Sequence, residues 1–76
     1  MRIVLFHSPH CRACEQFVGR WPALPIQRLD VCQHLERAAA LGVSRPPALV
    51  VDGALIAEGA AVEAALHRLD AQEARS

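Results

Sequence analysis

Asp52-Gly53 between the apolar runs Ala48-Leu49-Val50-Val51 and Ala54-Leu55-Ile56-Ala57 constrains the fold of this chain more than any other feature. A two-residue Asp-Gly link between short apolar segments is the chemistry of a tight β-hairpin, because both turn positions need positive φ. Pro46-Pro47 stands directly before the first run, where two successive prolines exclude a helix. Residues 48–51 and 54–57 are therefore expected to form an antiparallel pair entered through a proline-rich bend.

The remaining segments follow from the same kind of reading. Arg2 to Phe6 carries a continuous apolar run, Ile3-Val4-Leu5-Phe6, and reads as a buried strand. His7-Ser8-Pro9-His10 is a loop, and a helix is expected from Cys11, with Ala13, Cys14, Phe17, Val18 and Trp21 along one face until Gly19, Pro22 and Pro25 end it. Ile26 to Asp30 reads as a second strand supported by Ile26, Leu29 and Val31. Asp30 and Gln33 form a candidate capping box for a further helix that buries Leu35, Ala38 and Ala39 and stops at Gly42. Val62, Ala65, Leu66 and Leu69 recur at helical spacing in a last amphipathic helix, with a polar, frayed tail expected after Asp70.

These segments predict an α/β domain of order β-α-β-α-β-β-α. A right-handed crossover makes the first two strands parallel, the hairpin makes the last two antiparallel, and the mixed four-stranded sheet carries helices on both faces in three layers. The 76 residues suffice for one small domain, expected as a monomer, whose core is aliphatic because only three residues are aromatic. Eight arginines balance eight acidic residues, so no charge excess points to nucleic acid or an anionic membrane. The apolar start of the chain is too short for a signal-peptide core or a membrane span, and a cytoplasmic setting is expected.

The chemistry concentrates at His10-Cys11-Arg12-Ala13-Cys14. A Cys-x-x-Cys pair between a strand and a helix sets the first sulfur beside unsatisfied N–H groups and the positive end of a helix dipole, which favours the nucleophilic thiolate. Cys11 is the expected nucleophile and Cys14, one turn inward, the resolving thiol. Arg12 stands either as a charge that stabilises the thiolate or steers an anionic partner, or as a plain helix-surface arginine, and His10 either as a proton relay or as a solvated loop histidine; both are candidates for positioning a substrate. His7 is a weaker candidate for the same task. Cys32 is an odd thiol, expected to be a small half-buried side chain. Metal binding by His7, His10, Cys11 and Cys14 is the alternative, against which four ligands within eight residues close poorly around a tetrahedral ion.

The Cys-x-x-Cys after the first strand, together with Gly42-Val43-Ser44-Arg45-Pro46-Pro47 leading into the hairpin, resembles the thioredoxin-fold family in its short glutaredoxin-like form, over residues 2 to 70. The resemblance implies a thiol–disulfide oxidoreductase whose working group is a redox-active Cys11–Cys14 disulfide, with no other cofactor and no metal. It implies a cis bond before Pro47, which lies beside the nucleophile, and substrate positioning by Pro46 and Pro47. Its partners would be a disulfide-bearing protein and a reductase or small thiol. Three departures stand out. Pro46 has no N–H to offer a substrate backbone, Glu58-Gly59-Ala60 replaces a glycine-rich turn in a way that weakens the case for glutathione, and Leu5 stands where thioredoxins carry a buried carboxylate.

Overall fold

The computed structural model describes residues 2–9 and 20–75. Strands β1 (Ile3–His7), β2 (Ile26–Asp30), β3 (Ala48–Val51) and β4 (Ala54–Glu58) form one mixed sheet of order β2-β1-β3-β4. β1 and β2 are parallel, with Ile3 opposite Ile26 and His7 opposite Asp30. β1 and β3 are antiparallel, with Ile3 opposite Val51 and Phe6 opposite Ala48. The α-helices among the described residues are α1 (Leu35–Ala40) and α2 (Ala61–Arg75). The helix expected from Cys11 lies outside the described residues.

Strand alternation sorts the apolar side chains into two clusters, as the two-residue period of a sheet requires. Ile3, Leu5, Leu49 and Ala57 join Val62, Ala65, Leu66 and Leu69 of α2, with Trp21 and Leu24. Val4, Phe6, Leu29, Ala48 and Val50 join Ala38 of α1. β1 is buried from Ile3 to Phe6, as its unbroken apolar run demands of a strand covered on both sides.

The hairpin forms as expected. Asp52 and Gly53 take φ values of 50° and 83°, the pair of positive angles that a primed two-residue turn needs. Asp52 also ties the turn to the start of β1: its N–H donates to the Arg2 carbonyl at 2.8 Å, and its Oδ1 accepts from the Arg2 N–H at 2.7 Å. One irregularity was not legible in the sequence. The β3–β4 register shifts between Leu49 and Val50, so that Val50 faces Leu55 while Leu49 faces Ala57. Ile56 is the extra residue of this bulge and is left 48% exposed.

The region between β2 and β3 departs from expectation. Asp30 does cap, but it caps a 3-10 turn, Val31–Gln33, by accepting the Cys32 N–H at 2.8 Å. The chain then breaks at His34 (φ −133°, ψ 42°) before the six-residue α1 begins. That break rotates the helix from the face the sequence spacing implies. Ala38 is buried, while Leu35 is 64% exposed and Ala39 is also exposed. α1 ends as predicted at Gly42, with φ 84°. The Val43 N–H reaches the Ala38 carbonyl at 2.9 Å and the Gly42 N–H reaches that of Ala39 at 3.1 Å, the paired bonds of a Schellman motif. α2 runs beyond Asp70 to Arg75, since Ala71-Gln72-Glu73-Ala74 contains only residues that favour a helix.

Candidate active site

The antiparallel register brings the end of β1 and the start of β3, the two central strands, to the same end of the sheet. Phe6 pairs with Ala48, so the next residues outward are His7 on one strand and Pro47 on the other. His7 and Ser8 are half-buried and Pro9 is exposed. His10, Cys11, Arg12 and Cys14 lie outside the described residues.

The Pro46–Pro47 peptide bond is cis. Pro47 is buried and Pro46 half-buried. The Pro47 carbonyl accepts the Gly59 N–H at 2.8 Å, which ties the bend to the end of β4. Glu58, the last residue of β4, ties it again from the other side. Its Oε2 accepts the Ser44 N–H at 2.7 Å, the Ser44 hydroxyl at 2.9 Å and the Arg45 N–H at 3.0 Å. These bonds stabilise the charged carboxylate. The two backbone donors hold the Glu58 pKa below its usual value, first Ser44 and then Arg45, with help from the Ser44 hydroxyl and the Arg45 charge. The sequence offered no local sign of this contact, because the partners are 13 and 14 residues apart and meet only through the β3–β4 hairpin.

The consequence for hydrogen bonding is a loop with its donors spent. The N–H groups of Ser44 and Arg45 both point to Glu58, and neither Pro46 nor Pro47 has one. From Ser44 to Pro47 the segment entering β3 therefore has no uncommitted backbone donor.

A second polar cluster fastens the chain ahead of β2 to α2. The Arg20 guanidinium lies 4.6 Å from the centroid of the Trp21 ring and donates to Glu63 Oε1 at 2.7 Å. The His67 ring meets Trp21 edge-on with 5.4 Å between centroids, and its Nε2 stands 3.8 Å from Glu63 Oε1. Arg20 is the main reason the Glu63 pKa is lowered, by hydrogen bond and by charge. Trp21 is buried and packs in the α2-side cluster, the core role expected of it. Glu63 and His67 are an i, i+4 pair on one helix, and nothing in the sequence joined them to Arg20.

Cys32 is exposed in the 3-10 turn, not half-buried as expected. Of the alternative metal set, His7 alone is described. Among the described residues no three His, Cys, Asp or Glu side chains gather around a common point. No helix among them is long and apolar enough to cross a membrane. Comparison of the chain with protein-family models, with curated proteins and with solved structures gives no match.

Proposed function

We propose that this chain is a small thiol–disulfide oxidoreductase with a thioredoxin-like, glutaredoxin-like fold, cycling Cys11 and Cys14 between dithiol and disulfide. The observation that carries the reading is the antiparallel register that sets Pro46-Pro47, at the head of β3, beside the end of β1, the strand that leads to Cys11. Cys11 follows His7 by four residues, a span of at most about 14 Å even when fully extended. The sheet order β2-β1-β3-β4 and the two apolar clusters on opposite strand faces support the three-layer arrangement of that fold class.

The reaction conserves atoms and electrons in two exchange steps. The Cys11 thiolate attacks one sulfur of a substrate disulfide, the S–S bond breaks, and one substrate thiolate leaves with the electron pair. The Cys14 thiolate then attacks the Cys11 sulfur of the mixed disulfide and expels the second thiolate. The substrate gains two electrons and two protons, and the chain is left with a Cys11–Cys14 disulfide. A reductase or small thiol of the cytoplasm reverses that oxidation. Arg12 and His10 favour the thiolate and manage its proton, and the Pro46 carbonyl accepts a donor from the bound substrate.

Reduction of a model protein disulfide by dithiothreitol tests the reading, with the chain added in catalytic amount. The wild-type chain accelerates the reduction, and Cys11→Ser abolishes the acceleration while circular dichroism stays unchanged. Acceleration retained in Cys11→Ser rejects the assignment.

A further inference from the structure

Ser44 and Arg45 present two successive backbone N–H groups and a hydroxyl to a single carboxylate oxygen, all within 3.0 Å. Convergent successive N–H groups of this kind form an anion-binding concavity. The Arg45 side chain adds charge to it, since its Cδ lies 3.6 Å from where a Cβ on Gly59 would stand and its cation favours the ionised Glu58. The occupant belongs to the chain itself and comes from the neighbouring strand. One residue further along, the same loop enters the cis-proline pair.

We propose that Glu58 occupies an open carboxylate-binding site, the converging Ser44 and Arg45 donors beside Pro46-Pro47, and that by occupying it this residue sets the substrate class. Disulfides anchored through a carboxylate are refused, while neutral and cationic disulfides are accepted. The proposal rests on the exchange reading for its consequence, but the site itself does not depend on that reading. Two features act together against an anionic substrate. The donors that would hold its carboxylate are already committed, and the carboxylate that holds them carries a like charge. A cationic or neutral disulfide meets neither obstacle and finds the Pro46 carbonyl as an acceptor.

Glu58→Ala tests the site directly, because the atoms removed amount to an acetate ion. In the variant, sodium acetate is expected to raise the thermal midpoint saturably, as a ligand of the folded state does. Sodium chloride at equal ionic strength and neutral acetamide are expected to leave it unchanged, and the wild-type chain should not respond to acetate. A folded Glu58→Ala chain indifferent to acetate overturns the proposal. The substrate class is read from turnover of 3,3′-dithiodipropionate against bis(2-hydroxyethyl) disulfide. The ratio of their kcat/KM values should shift toward the dianion by about tenfold in Glu58→Ala, through KM, the size expected for one charge-assisted hydrogen-bond set. An equal loss for both substrates means a merely structural role and also overturns it. Should Glu58→Ala not fold, the isosteric Glu58→Gln removes the repelling charge while keeping an acceptor oxygen. There the ratio still rises severalfold, and an unchanged ratio rejects the proposal. If neither wild type nor variant turns over any disulfide, the exchange reading fails, and the acetate titration still decides the site.

Discussion

Leu66→Ala against Leu35→Ala measures which leucines the fold depends on. Leu66 is 0% exposed in α2, packed in the cluster with Leu5, Leu49 and Trp21, whereas Leu35 is 64% exposed. Truncating a fully buried leucine removes its transfer energy and leaves a cavity, together about 2–5 kcal/mol. A chain of 76 residues has a total stability of roughly 4–11 kcal/mol at typical values per residue. The lost share is therefore large. With a urea slope of about 1 kcal/mol/M for a domain this small, the Leu66→Ala midpoint should fall by about 2–5 M. Leu35→Ala should cost less than about 0.5 kcal/mol, as surface changes do. Trp21 is the chain's one tryptophan, is 6% exposed, and sits in the same cluster, so its emission follows the unfolding without an added probe. A Leu35→Ala cost equal to that of Leu66→Ala would refute the packing described for α1.

Three further outcomes are expected. Ile56→Lys should change stability by less than about 0.5 kcal/mol while Ala57→Lys unfolds the chain, because the bulge leaves Ile56 outside and Ala57 in the core; equal costs in urea melts would place the bulge elsewhere. Pro46→Val should tighten binding of a disulfide-bearing peptide in calorimetry by restoring a backbone N–H, and unchanged affinity counts against one-sided docking. Stability should fall on acidification below pH 4.5. Glu58 and Glu63 have folded pKa values beneath that unfolded value, so their contribution is complete above it and is lost as pH falls through the folded values. Glu58→Gln should flatten part of that acid decline in urea midpoints, and an identical decline would deny Glu58 its part.

The hairpin and the face of α2 were legible in the sequence because each rests on local chemistry. Asp52-Gly53 specifies its own turn, and Val62, Ala65, Leu66 and Leu69 are all buried as their spacing requires. The errors fall where local and tertiary demands compete. Asp30 and Gln33 look like a capping box, but the backbone closes a 3-10 turn at Asp30 and restarts the helix after His34, which turns Leu35 outward. Alternation along 54–57 gives no sign of a bulge, since all four residues are apolar and only the register against β3 distinguishes them. At the candidate site, the cis bond before Pro47 agrees with what the family resemblance implied. The sequence marked Glu58 only as part of the Glu58-Gly59-Ala60 departure that weakens the case for glutathione. The structure gives it partners, and these depend on a sheet register that no motif encodes.

A redox titration of the purified chain tests the central claim most directly, with alkylation and mass spectrometry reporting Cys11 and Cys14 and metal content determined on the same sample. The account predicts a reversible two-electron transition of the Cys11–Cys14 pair, with a midpoint between roughly −180 and −270 mV, in a metal-free chain. Stoichiometric zinc or copper, with both thiols resisting oxidation until a chelator is added, would contradict it and make the cysteines ligands.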